Sequence, residues 1–288
     1  MATPESFSFR ATIYSHGWCE LAPFDIDETN WRLSYVFRGV TSGAVTAGVV
    51  SDDGGRLKIE LANDNVPDDL IISTVRHLLR LDDDLEDFYR ALSGHDRLAW
   101  VSQRRAGRLL RSATVFEDLV KTICTTNCSW GLTKSMVTNL VQKLGDDAGG
   151  GKRAFPTPEA MAAVPPEFYR DEIRAGYRSP YFVELADTVA AGRLDPQSWL
   201  TSELSTADLK KEMKRVKGVG DYAAENLLKL VGRYDGLALD SWLRSQFYKT
   251  HNKAKQCPDK KIDRHYNKFG KWRGLAIWCD MTERWIAD

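Results

Sequence analysis

Val216-Lys217-Gly218-Val219-Gly220-Asp221-Tyr222-Ala223-Ala224, with Leu237-Ala238-Leu239-Asp240-Ser241-Trp242 following it, is the stretch whose reading decides the fold. Upstream of the glycines, Leu209, Met213 and Val216 recur at helical spacing. Downstream, Ala223, Leu227, Leu228 and Val231 do the same. The pattern predicts helix, tight hairpin, helix over about 206–232. Two glycines around one small apolar residue let the backbone turn sharply. They also leave first-turn N–H groups of the second helix pointing outwards, where a phosphate can accept them. Such contacts do not depend on base sequence. Taken alone, Gly218-Val219-Gly220 reads more simply as a helix C-cap followed by another turn. It lacks the Lys-Ser/Thr ending of a nucleotide P-loop, and it follows a helix where a dinucleotide fingerprint follows a strand.

Outward from this motif the chain changes period once. Phe7, Phe9, Ala11 and Ile13, then Leu33, Tyr35 and Phe37, then Leu57, Ile59 and Leu61 alternate as half-buried strands do. Asp52-Asp53-Gly54-Gly55 reads as a hairpin turn. From Pro67 the apolar residues Leu70, Ile71, Val75, Leu78 and Leu79 take helical spacing. Further stripes run through Phe116–Ile123 and Leu132–Leu144, separated by the polar loop Thr125-Thr126-Asn127-Cys128-Ser129. Helices are also expected over 181–191 and 206–215, the latter capped by Ser205, with a Gly- and Pro-rich connection over 145–158. The expected fold is α+β: an N-terminal antiparallel sheet-and-helix domain over 1–100, then a mostly helical core over 101–288.

Forty basic and forty acidic residues cancel in 288, so net charge gives no reason to expect nucleic acid. Their distribution does. Nine Lys or Arg against two Asp lie between Lys249 and Arg273, interleaved with Tyr266, Phe269 and Trp272. Five scattered cysteines argue for reduced thiols. Met1–Ser8 has no basic flank leading into an apolar run, and no long apolar stretch follows, so a cytoplasmic protein without a membrane segment is expected.

The hairpin, with Asp240 twenty residues beyond Gly220, resembles the signature of the helix-hairpin-helix superfamily of DNA glycosylases. Phe116–Asn127, Phe155-Pro156-Thr157-Pro158 and Ala175-Gly176-Tyr177-Arg178 resemble, in order, segments of its 3-methyladenine and 8-oxoguanine branches, so that about two thirds of the chain is covered. The opening sheet fits those branches as well.

The resemblance implies base excision repair: a damaged base is flipped out of duplex DNA and its N-glycosidic bond is cut. Asp240 is then the catalytic carboxylate, which stabilises positive charge on the sugar and orients water. Asp240 also suits the N-cap of a helix starting at Ser241, and the two roles are compatible. Lys217, Gly218, Val219, Gly220 and Asp221 would grip the DNA backbone. Asn127 and Tyr177 would fill the hole and wedge the stack, with Arg178 beside the orphaned base. Where bifunctional relatives carry a Schiff-base lysine this chain has Tyr222, which implies hydrolysis without strand nicking.

Tyr222, Trp242 and Trp278 suggest an aromatic pocket for an alkylated purine. Ile277 falls about where the 8-oxoguanine branch has a base-reading glutamine. By the same resemblance, the backbone carbonyls of Lys214, Val216 and Val219 would hold a Na+ or K+ ion. No cofactor is required: too few C-terminal cysteines are present for an iron-sulfur cluster, and His251, Cys257 and His265 lack zinc spacing. The expected partner is double-stranded DNA with a damaged base, bound by a monomer. Two alternatives stay open: an 8-oxoguanine-type enzyme with lyase activity from another lysine, Lys217 or Lys249, and a non-catalytic lesion-binding protein.

Overall fold

The computed structural model describes residues 1–39 and 43–286. The first apolar run is a helix, α1 (Phe9–Ile13), where alternation predicts a strand. Ser8 caps it by accepting the Ala11 N–H, and nearly every residue of the short segment is buried, so burial carries no period to read. The sheet follows as β1 (Asp25–Asp27), β2 (Arg32–Arg38), β3 (Val45–Asp52) and β4 (Leu57–Leu61), antiparallel in the order β1-β2-β3-β4. Asp52 pairs with Leu57 across the expected turn, where Gly54 and Gly55 both take positive φ.

Helices α2 (Asp68–Leu78), α3 (Glu86–Leu92) and α4 (Ala99–Gln103) complete the N-terminal half. The remainder is helical: α5 (Val115–Thr125), α6 (Trp130–Leu144), α7 (Pro158–Ala162), α8 (Pro166–Asp171), α9 (Ser179–Ala190), α10 (Thr206–Met213), α11 (Asp221–Leu230), α12 (Ser241–His251), α13 (Asp259–Tyr266) and α14 (Arg273–Ile286). Ser205 caps α10 by accepting the Asp208 N–H, as its spacing suggests. No helix among the described residues is long and apolar enough to cross a membrane.

One continuous apolar cluster runs from Phe7 in the N-terminal half to Ile286 in α14. Polar groups cross the same boundary. Within α5, Lys121 donates to Glu117 at 2.6 Å with both side chains buried, and the Tyr35 hydroxyl of β2 donates to Glu117 at 2.8 Å. The Trp18 indole N–H donates to Asp118 at 2.7 Å. Arg80, just after α2, donates to the carbonyls of Lys229 and Leu230, and Arg111 donates to that of Leu230 at 2.6 Å. Two guanidinium groups from the first 111 residues therefore cap the C-terminal end of α11. On the far side, Asp280 of α14 receives Tyr266 at 2.5 Å and Arg97 at 2.5 Å, and lies 2.7 Å from His251 Nε2.

Candidate functional site

The hairpin forms as its sequence requires, with unequal parts for the two glycines. Gly218 has φ +89, and a Cβ there would lie 2.9 Å from the Tyr181 ring and 3.4 Å from Ile123. Only glycine fits, and the turn is seated against α9 and α5. Gly220 has an ordinary φ of −85, caps α11 without a side chain, and a Cβ there would meet open space. The first bond of α11 runs from the Ala224 N–H to the Gly220 carbonyl. The N–H groups of Gly218, Gly220, Asp221 and Tyr222 have no acceptor among the described residues. These outward donors coincide with the positive end of the helix. Lys214 lies 3.0 Å from Asp221, and Lys217 pairs with Glu184, with both lysines on the surface. The Val216 carbonyl accepts the Val219 N–H at 3.1 Å, leaving it one further lone pair.

After α11 the chain makes a strained turn. Ala238 has φ +51, and its N–H donates to Glu225 at 2.5 Å. The turn delivers Asp240 to the N-cap of α12, where its Oδ1 accepts the Leu243 N–H at 2.6 Å. One carboxylate oxygen is thus fixed by the helix while the half-buried side chain lines a cavity of about 800 Å³.

Trp242, Trp278 and Trp285 make an aromatic wall of this cavity, with ring centroids 5.2–6.1 Å apart. The Trp278 N–H is anchored on the Ser15 carbonyl at 2.7 Å. Neighbouring Ile277 is fully buried in the core and does not line the cavity. Tyr222 stands beside Asp240; burial, with the nearby carboxylate, pushes its hydroxyl up to about 12, so it stays protonated at neutral pH. The N-terminal half adds His16, which burial holds at about 4 and therefore neutral, its Nε2 2.7 Å from the Leu110 carbonyl.

Three expected contacts with an unpaired base are placed differently from one another. Asn127 is exposed at φ +47, a conformation asparagine tolerates, and follows Thr125, which lines the cavity. Tyr177 is 52% exposed, with its hydroxyl 3.5 Å from Asn127 Nδ2 and its ring 6.0 Å from that of Tyr181, the residue packed on Gly218. Hairpin, Tyr177 and Asn127 therefore form one strip beside the cavity. Arg178 corrects the expectation of a guanidinium held out to a base: it is only 3% exposed. Its Nε donates to the Ile123 carbonyl at 3.2 Å, its Nη2 donates to the Thr126 carbonyl, and its guanidinium lies 4.5 Å from the Tyr177 ring. Arg178 ties down the loop that presents Asn127 and backs the ring of Tyr177.

Two features escape the sequence reading. Lys229 lines the cavity although it is buried, seven residues from Tyr222 on the same face of α11 as Asn226. A lone lysine inside the stripe Leu227-Leu228-Lys229-Leu230 was the available signal. His251 and His265 meet Asp280 with ligand atoms within 4.8 Å of one another, which their spacing in sequence does not foretell. Asp280 is already engaged by Arg97, Tyr266 and His251, so the group acts as a hydrogen-bonded tie between α12, α13 and α14. All five cysteines are free thiols, as their scatter predicts.

No protein-family model matches the chain. A probable N-glycosylase/DNA lyase of Methanothermobacter thermautotrophicus is 24% identical over 222 residues, 68% of each protein. Among solved structures, MBOgg1 in complex with a low-affinity DNA ligand superposes with a TM-score of 0.77 at 21% identity, covering 100% of this chain and 94% of that one. The 3-methyladenine DNA glycosylase of Archaeoglobus fulgidus gives 0.75 at 19% identity, covering 99% and 98%. The 8-oxoguanine glycosylase/lyase of Clostridium acetobutylicum, bound to DNA, gives 0.74 at 20% identity, covering 97% and 92%. The chain has the fold of the helix-hairpin-helix DNA glycosylases and resembles their 3-methyladenine and 8-oxoguanine branches alike.

Proposed function

We propose that the protein is a DNA glycosylase of base excision repair, acting as a monomer on duplex DNA inside the cell, and that it is monofunctional. The observation that carries the reading is Asp240, locked by the cap of α12 at the wall of an aromatic cavity next to a hairpin with free N–H groups. Those N–H groups and Lys217 hold phosphates in any sequence. Hard carbonyl oxygens of Lys214, Val216 and Val219 suit a Na+ or K+ ion that would brace the turn. Tyr177 and Asn127 enter the stack from the rim as the nucleotide leaves it, with Arg178 positioning both.

In the cavity the flipped base stacks on Trp242 and Trp278 while Asp240 faces the sugar. As the bond from C1′ to the base breaks, its electron pair leaves with the base, and the carboxylate stabilises the positive charge left on the sugar. Water then adds to C1′ and gives its proton to Asp240. Tyr222 supplies no amine, so no Schiff base forms at its position and the abasic strand stays intact. Aromatic walls suit a damaged purine, alkylated purines included.

The test is base release from duplexes carrying 3-methyladenine, 7-methylguanine, hypoxanthine, 8-oxoguanine or uracil, read with and without alkali. Strand breaks that appear only after alkali, and that vanish in Asp240→Asn, are expected. Breaks without alkali, with a borohydride-trapped adduct, would replace this reading with a lyase. No release with tight binding retained would make the protein a non-catalytic lesion binder.

A further inference from the structure

Lys229 is a charged side chain set into the base cavity where apolar packing would be cheaper. It is 2% exposed, and its Nζ donates to the Leu237 carbonyl at 3.1 Å. An ammonium carries three N–H donors, and the other two have no acceptor among the described residues. Its nearest potential carboxylate on the same helix, Glu225, is occupied by Lys210 at 2.6 Å and by the Ala238 N–H. The Nζ lies 5.7 Å from the Trp278 ring, which is part of the cavity wall. Seven residues of helix rise by about 10 Å. The Lys229 backbone therefore lies about 10 Å further along α11 than that of Tyr222, and its Nζ, held on the carbonyl three residues before Asp240, enters the same cavity between Trp278 and the turn that carries Asp240.

We infer that Lys229 reads the flipped base, selecting neutral purine lesions that present a ring carbonyl and turning away purines that alkylation has made cationic. This rests on the glycosylase reading and narrows its substrate class. Aromatic walls alone favour an electron-poor alkylated purine, and a buried ammonium reverses that preference through like-charge repulsion. The chemistry of departure agrees. A cationic purine leaves as a neutral molecule and needs no help, whereas a neutral purine leaves with the electron pair of the broken bond and carries negative charge onto its carbonyl. An ammonium hydrogen-bonded to that oxygen stabilises the leaving base, and its proton can follow the charge. Burial holds the Lys229 ammonium down to about 8, against the pull of Glu225 and Asp240, which leaves it protonated yet acidic enough to give up a proton near neutrality.

The experiment compares single-turnover base release by wild type, Lys229→Met and Lys229→Gln from duplexes with hypoxanthine, 8-oxoguanine or 7-methylguanine at mildly acidic pH. Wild type is expected to favour a neutral lesion. Lys229→Met is expected to lose about 10- to 100-fold on that lesion while keeping or gaining activity on 7-methylguanine. Lys229→Gln, which keeps donors without the charge, is expected between the two on the neutral base. An equal fall on all lesions, or no change on any, overturns the inference. Tryptophan fluorescence titrations with inosine and with 7-methylguanosine read the cavity without catalysis. If wild type releases no base yet binds inosine better, and Lys229→Met erases that difference, the glycosylase reading fails and the lysine's role stands. Equal binding of both nucleosides by wild type removes the role itself.

Discussion

Replacing Lys229 by methionine removes a buried charge from the cavity lining and is expected to make the protein more stable, the reverse of the usual core substitution. A lysine lowered from 10.5 to about 8 by folding represents about 3 kcal/mol against the charged folded state. Loss of the bond to the Leu237 carbonyl returns about 1 kcal/mol. The net expectation at neutral pH is a gain of about 2 kcal/mol, or a rise of about 5 °C in melting temperature for a chain of this size. The pH dependence has a definite sign. Below about 8 the lysine is protonated folded and unfolded, so the full penalty is present in wild type. Between about 8 and 10.5 the unfolded chain binds more protons than the folded one, and wild-type stability rises relative to the variant. The groups that set this titration are Glu225 on the same helix, Asp240 at the cap of α12 and Cys279 of α14, with His16 also facing it and staying neutral. Urea unfolding of both proteins at neutral and alkaline pH measures the difference directly. A variant less stable than wild type at pH 7, with a gap that does not change across the alkaline window, would refute the buried-charge argument.

Other consequences separate binding, chemistry and scaffold. Asp240→Asn preserves an N-cap and should change stability by less than about 1 kcal/mol, while base release falls by a factor of about 1,000 or more and duplex binding persists. Gly220→Asp, at an open position, should fold normally and weaken binding to every duplex sequence alike, a result read by fluorescence anisotropy over a salt series. Gly218→Ala, with positive φ and Tyr181 at 2.9 Å, should instead lower the unfolding free energy by about 2 kcal/mol. Glu117→Ala strands the buried Lys121 ammonium and the Tyr35 hydroxyl, at an expected cost of about 3–5 kcal/mol in urea unfolding.

The hairpin was legible because stripes on both sides stop at glycines, and Asp240 because it precedes an amphipathic segment and suits a cap. The alternation over Phe7–Ile13 points to a strand, yet the segment forms the helix Phe9–Ile13, because a five-residue helix buried almost all round shows no helical period. Arg178 follows an exposed tyrosine in sequence, and nothing local says that its guanidinium turns inward to backbone carbonyls. The cavity was half legible. Tyr222, Trp242 and Trp278 come from the motif and the closing helix, whereas His16 and Trp18 arrive from some two hundred residues earlier, a distance that only tertiary packing spans. Lys229 was visible as a lone charge in an apolar stripe, but a buried lysine is rare enough that the stripe alone suggests a snorkelling surface residue.

Arg80 and Arg111 grip one end of α11 while its other end offers free N–H groups. That arrangement makes the helix a strut rather than an isolated motif. A shift of Arg80 or Arg111 would move the end of the same ten-residue helix whose start is the turn that would meet DNA. The amides of α11 should therefore exchange with solvent together with those of the sheet and α2, as one cooperative unit. The hairpin would not survive excision as a portable grip, because the anchor that sets its angle lies in the half of the chain that carries none of its sequence signature.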